Sequence, residues 1–347
     1  MKIIIDDKIP YIKEAAEKIA EEVIYAPGKD FTRKLVQDAD ALIIRTRTHC
    51  NRELLEGSKV KFIATATIGF DHIDTEYCKQ AGIEWANAPG CNSASVAQYI
   101  QSSLLIWKSL RNKKPGKLTI GIIGVGNVGS KVAKVAQDFG MRVLLNDLPR
   151  EEKEGNIAFT SLEKIAEECD IITFHVPLYK EGKYKTLHLA DQSFFRSLKR
   201  SPIIINTSRG EVIETNALLE ALKNGLISDA VIDVWENEPD INLTLLNKVF
   251  IGTPHIAGYS ADGKANATRM SLDSLCQHFD IQADYRIVPP EPENPMITAT
   301  TETEAYLQMY DPRRDSEALK QHPELFEKLR GDYPLRREKT AFRVVIS

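Results

Sequence analysis

The chain has 347 residues, 43% hydrophobic and 27% charged, an ordinary globular balance with room for two domains and a small extra module. A net charge of -4 and a pI near 6.1, with basic residues interspersed among acids, exclude the electrostatic footprint of a nucleic-acid binder. Only three isoleucines in a row stand near the start and no later run reaches the length of a membrane span, so a cytoplasmic protein without a membrane partner is expected.

Apolar runs alternate with amphipathic stretches from the start: Ile3 to Ile5, a helix over Tyr11 to Glu22, then Ala41 to Ile44 and Phe62 to Ala64. This pattern predicts a small parallel α/β domain over residues 1–92. The last two runs end in polar loops, Arg45 to Thr48 and Thr65 to Asp71, at the carboxyl edge where open sheets bind ligands. Asn92 to Leu110 reads as one long helix bridging two domains and ended by Lys113-Lys114-Pro115-Gly116. Six short β-branched runs follow, starting at LTIGIIG, with helices such as Ser161 to Glu168 and Asn216 to Lys223 between most of them. They predict a second doubly wound parallel sheet over residues 93–264. After a helix around Ala265 to Phe279, expected over 265–284 to pack back on the first domain, Val288 to Pro295 reads as a linker. Residues 285–347 read as a separate α+β module. Cys50, Cys78, Cys91, Cys169 and Cys276 form no C-x-x-C pair and have no histidine at ligand spacing, so reduced thiols and no metal site are expected.

The chemistry concentrates in the second sheet. Its first strand runs into Gly124-Val-Gly126-Asn127-Val128-Gly129, a helix follows, and Asp147 lies about 18 residues beyond Gly129. Gly124 permits the tight turn, Gly126 the approach of a pyrophosphate, and Gly129 the close packing of helix on strand, while Asn127 and Val128 offer amide donors. Asp147 accepts from ribose hydroxyls and repels a 2′-phosphate, so NAD is expected over NADP, with Arg150 as the counter-argument. Three further strand ends lead to Arg209, Glu238 and His255. A base with a carboxylate partner, beside a planar cation for a substrate carboxylate, is the equipment of hydride transfer from a 2-hydroxy acid.

The motifs GVGNVG, INTSRG, DVWENEP and GTPHIAGY resemble those of the D-2-hydroxyacid dehydrogenase superfamily. TATIGFDH at Thr65 to His72, APGCN at Ala88 to Asn92, the long stretch Phe174 to Leu189 and Tyr259 are similar to the branch that oxidises a phosphorylated four-carbon acid in vitamin B6 biosynthesis. The resemblance implies a flavodoxin-like substrate domain, a Rossmann NAD domain and a tail that makes a homodimer. It implies oxidation of 4-phospho-D-erythronate to (R)-3-hydroxy-2-oxo-4-phosphobutanoate, with Arg209 and Glu238 in the active site and His255 exchanging the proton. Substrate contacts would fall on Thr46, Thr67 and Tyr259, and cofactor contacts on Asn127, Val128, Asp147, Val176, Thr207, Ser208, Asp233 and Gly258. Arg45 and Arg47, flanking Thr46, are candidates for the substrate phosphate. His72 and His188 read as structural.

Two other readings stand beside this one: a sister dehydrogenase such as one for phosphoglycerate, and an NAD-sensing protein without catalysis. The tail ends in the β-branched run Phe342 to Ile346, a candidate edge strand for pairing with a second chain. Its apolar residues, among them Tyr306, Leu307, Met309, Leu325, Phe326 and Leu329, are expected to bury against a partner or the adjoining domain, with the dinucleotide domain complete without them.

Overall fold

The computed structural model describes residues 1–111, 118–155 and 158–347; the expected break at Lys113 to Gly116 lies outside the described residues. The chain divides into two compact units, one made of residues 1–92 and 260–291, the other of 93–259 and 292–347.

The first unit is built on five parallel strands: β1 (Lys2–Asp6), β2 (Glu22–Ala26), β3 (Ala41–Ile44), β4 (Phe62–Thr65) and β5 (Glu84–Ala86), in the order β2-β1-β3-β4-β5. That is the flavodoxin-like order. β1, β3 and β4 are buried almost throughout, as their unbroken apolar runs require, whereas the edge strands β2 and β5 are half exposed, although β2 also carries an apolar run, Val23 to Ala26. The Ala261–His278 helix lays Leu272 and Leu275 against this sheet, within the same core as Ile3, Ile5 and Ile43.

The second unit holds six parallel strands, β6 (Thr119–Ile123), β7 (Arg142–Asn146), β8 (Ile171–Phe174), β9 (Ile203–Asn206), β10 (Asp229–Ile232) and β11 (Ile251–Gly252), in the order β11-β10-β9-β8-β6-β7. The chain leaves β6 for β7 on one side and returns to β8 on the other. The switch point at the carboxyl ends of β6 and β8 is therefore the place for a ligand. The Ser93–Leu110 helix buries Tyr99, Ile100, Leu104 and Trp107 in the core beneath β6 and β9.

The tail departs from the expected division. Residues 292–347 belong to the second unit, and its boundary with the Ala261–His278 helix falls at residue 259 rather than 264. Leu319 and Phe326, 0% and 1% exposed, sit in one core with Trp235, Leu245 and Val249, and Tyr310 packs with Tyr99 in another. Ser316 accepts the Gly252 amide of β11 at 3.0 Å. The dinucleotide unit is thus not complete without its tail. β12 (Met296–Ala299) and β13 (Arg343–Ile346) form a two-stranded parallel sheet whose Ile297 and Ala299 share a small separate core with Ala305 and Met309, and every residue of β13 is exposed. No described helix is long and apolar enough to cross a membrane.

Candidate active site

The glycine loop fits its expected ligand. At Gly124, φ is +88°, and an added Cβ would meet the His175 carbonyl oxygen at 2.5 Å; at Gly129 it would meet the Gly124 carbonyl oxygen at 2.0 Å. Both are glycine because the protein itself leaves no room. At Gly126 an added Cβ meets nothing within 4 Å, so no protein neighbour requires glycine there. Gly126 caps the Asn127–Asp138 helix, whose first amides carry the positive end of the helix dipole. Asp147 accepts from the amides of Val125 at 2.8 Å and Arg150 at 3.1 Å, which ties it to the loop and caps the next helix. Arg150 is occupied: two of its nitrogens hold Glu154 at 2.8 Å and the third holds the Val125 carbonyl at 2.6 Å. A 2′-phosphate would have to compete with Glu154 for it, which weakens the counter-argument for NADP.

Across the switch point, Val176 stands half-buried beside Gly124. Thr207 lies 3.5 Å from Nδ1 of His175, a ring whose pKa burial pushes down to about 3. Ser208 donates to Asn206, whose amide nitrogen in turn donates to the Arg209 carbonyl at 2.9 Å. Asn206, 1% exposed, therefore sets the loop that carries Arg209, a role its place in INTSRG did not announce. Gly210 follows because a Cβ there would lie 2.0 Å from the Trp235 carbonyl carbon. The Arg209 loop rests directly on the loop that carries Glu238. Arg209 itself is exposed, with one nitrogen on the Ser208 carbonyl at 2.7 Å.

Glu238 and His255 are in contact. His255 Nδ1 lies 2.8 Å from Glu238 Oε2, and Glu238 Oε1 accepts the Trp235 amide at 2.9 Å. Burial works against the Glu238 carboxylate, but the His255 ring, the Trp235 amide and Arg330 outweigh it and hold its pKa below the ordinary carboxylate range. Nε2 of His255 has no hydrogen-bond partner among the described residues. The backbone at His255 is left-handed, φ +57°, a conformation that needs outside support. Asp233 supplies it. This carboxylate, 1% exposed, accepts from the Thr253 hydroxyl at 2.7 Å and from the amides of Ile256 at 2.8 Å and Ala257 at 3.0 Å, while the His255 amide donates to the Asp233 carbonyl at 2.8 Å. The residue expected among the cofactor contacts is first the anchor of the histidine loop. Gly258 and Tyr259 follow, both half-buried, and the Tyr259 phenol accepts from Nε of Arg330 at 3.0 Å.

In the first unit, the structure sorts the two candidate arginines. Arg45 is bound by the fully buried Asp6 through two nitrogens, at 3.0 and 3.2 Å, so it serves the fold. Arg47 makes no ion pair among the described residues and lines a cavity of about 400 Å³ with Lys29, Arg33, His49 and Glu53. Thr46 is exposed at the same strand end. Thr67 is held by a chain of polar contacts, to the Gly69 carbonyl at 2.8 Å and the Thr65 hydroxyl at 2.6 Å, with Thr65 in turn 3.0 Å from Nε2 of His72. His72 is buried, and burial lowers its pKa, so it is a neutral brace.

Residues 95–257 match the family described as D-isomer specific 2-hydroxyacid dehydrogenase, NAD binding domain. An erythronate-4-phosphate dehydrogenase of Bacteroides thetaiotaomicron is 84% identical over 345 residues, 99% of each chain. The chain belongs to the erythronate-4-phosphate dehydrogenase family of the D-2-hydroxyacid dehydrogenases. A Bacteroides fragilis member of the family is 73% identical over the whole of both chains. Among solved structures, the D-lactate dehydrogenase of Aquifex aeolicus, complexed with NAD and lactic acid, is 27% identical with a TM-score of 0.63, covering 80% of this chain and 96% of that one.

Proposed function

We propose that the chain oxidises 4-phospho-D-erythronate at C2 with NAD, giving (R)-3-hydroxy-2-oxo-4-phosphobutanoate on the route to pyridoxal 5′-phosphate. The observation that carries the reaction type is His255: Nδ1 is fixed on an ionised Glu238 while Nε2 is left without a partner, at the carboxyl edge of the sheet that bears the glycine loop. Gly126, the amides of Asn127 and Val128, and Asp147 would hold the dinucleotide, with Val176, Thr207, Ser208 and Gly258 lining its nicotinamide side. NAD bound there supplies the hydride acceptor. Nε2 of His255 takes the hydroxyl proton as hydride leaves C2, and Glu238 stabilises the imidazolium that results. Arg209 has donors open for the substrate carboxylate and neutralises charge at the reacting carbon's neighbour. Thr46, Thr67, Tyr259 and Arg47 are assigned to the substrate, Arg47 to its phosphate because it is exposed and has no ion pair among the described residues, whereas Arg45 is paired with Asp6.

The chain is further assigned as a homodimer paired through the β12–β13 sheet, since Val344, Val345 and Ile346 are 40%, 50% and 48% exposed on a terminal strand. NADH formation with a panel of 2-hydroxy acids tests the reaction: 4-phosphoerythronate must give the highest kcat/KM. Preference for phosphoglycerate or an unphosphorylated acid, or no turnover at all, contradicts it. Light scattering of the full chain and of a form lacking only β13 tests the dimer.

A further inference from the structure

The Phe326–Gly331 helix of the tail ends beside the reaction centre, and Arg330 extends from it. Its Nε donates to the Tyr259 phenol at 3.0 Å, and Nη1 stands 4.0 Å from Oε2 of Glu238, the oxygen that also holds His255. The side chain is 30% exposed, and its other ion-pair neighbour, Glu327 at 3.7 Å, lies 58% exposed on the same helix. That second pair contributes little in water. The helix is fixed at both ends. Phe326 is core, and Arg336, 5% exposed, donates to the carbonyls of Ile256 at 3.3 Å and Ala257 at 3.0 Å, immediately after His255.

We propose that Arg330 is a positioning residue of the catalytic centre, one rigid guanidinium that aligns the Tyr259 phenol with the Glu238 carboxylate, so that the tail completes the active site of its own chain. The proposal rests on the reaction assigned above. A planar fork fixes two partners relative to each other, which a single ammonium cannot do. Its charge matters as well. The charged groups that face His255 are Glu238, the buried Asp233 and Arg330, with Arg336 on the carbonyls that follow. Two carboxylates stabilise positive charge beside the ring and a cation opposes them, so Arg330 offsets part of the field that Glu238 and Asp233 impose on that site. The tail's place in assembly and its place in catalysis are then two separate duties of one segment.

The test compares Arg330→Gln, Arg330→Lys and Glu327→Gln with the parent full chain, using NAD and 4-phosphoerythronate. The glutamine variant is expected to lower kcat/KM on the order of ten- to a hundredfold, the worth of one charge-assisted hydrogen bond, to move the acid limb of the profile to higher pH, and to leave NAD affinity unchanged. Lysine keeps the limb at the parent's position but not the full rate, and Glu327→Gln changes neither. A glutamine variant with its limb unmoved overturns the proposal, whether its kcat/KM is parental or reduced, since a residue that only holds the fold gives the second pattern. Should the glutamine variant not fold, a lysine variant with parental kcat/KM overturns it and a slower one with an unmoved limb supports it. Titration of the His255 ring by NMR without substrate separates this proposal from the substrate assignment: the ring must titrate at higher pH in Arg330→Gln even if the parent prefers another acid, and an unmoved ring overturns the role of Arg330 alone.

Discussion

Two carboxylates two positions apart on one loop, Glu236 and Glu238, each hold an imidazole, and only one of the pairs has the form of a base. Glu238 holds Nδ1 of His255 at 2.8 Å, and Glu236 holds Nε2 of His188 at 2.7 Å. Both histidines have a left-handed backbone, φ +57° and +53°. The difference is which nitrogen is used. His255 gives up the nitrogen nearest its own backbone and leaves the far one open, whereas His188 commits the far one. The carboxylates differ too, since the second oxygen of Glu236 caps the Thr215–Lys223 helix at the Thr215 amide, 2.8 Å away, and Glu238 has Arg330 as a further neighbour. A contact of the right type is therefore not evidence of a base; the free nitrogen and its anchored loop are.

Four substitutions press on that contrast. Asp233→Asn has the largest expected effect on the protein, because the Ala257 amide would then face another amide donor in a buried site. A loss of about 1–3 kcal/mol is expected, with turnover falling as the His255 loop loosens, read by thermal midpoint and kcat together. Glu238→Gln removes the anion beside His255, so the imidazolium loses its proton more readily and the acid limb of kcat/KM moves to lower pH, opposite to the shift expected for Arg330→Gln. The same variant changes stability with a definite sign. The folded Glu238 pKa is depressed, so its contribution is present above the ordinary carboxylate pKa, near 4.3, and is lost as pH falls through the folded value. A midpoint-against-pH curve should show that contribution in the parent and not in the variant. Glu236→Gln keeps the acid limb in place and costs about 1 kcal/mol through the weakened helix cap, measured by denaturant unfolding. His188→Ala, the mildest, should leave kcat within about twofold, since no step of general-base catalysis passes through it; a loss of a hundredfold would erase the distinction between the pairs.

The fold and the site were legible in the sequence to different depths. Buried strands such as β3, β6 and β9 announce themselves because a parallel strand covered on both faces is an unbroken apolar run. Neither β2 nor β5 was anticipated: β5 is too short for a run of its own, whereas Val23 to Ala26 of β2 did carry the signal, directly after the stretch read as a helix over Tyr11 to Glu22. Gly124, Gly129, Arg209, Glu238 and His255 were legible because backbone geometry or proton chemistry demands those residue types at strand ends. The anchoring roles of Asp233 and Asn206, and the engagement of Arg45 and Arg150 by Asp6 and Glu154, were not. They depend on partners that only the folded chain brings near. The tail shows the limit most plainly. Phe326 and Leu329 read as apolar residues seeking any cover, and nothing in their spacing says that the cover is the core around Trp235, or that Arg330 arrives beside Tyr259 as a result.

The central claim is that the open nitrogen of His255 takes the proton. The direct measurement is NADH formation from 4-phosphoerythronate by the parent and by His255→Ala, with NAD affinity followed in both by fluorescence. The account predicts a loss of roughly a hundred- to ten-thousandfold in turnover with NAD affinity unchanged. Turnover within tenfold of the parent, in a variant that still binds NAD, would contradict it.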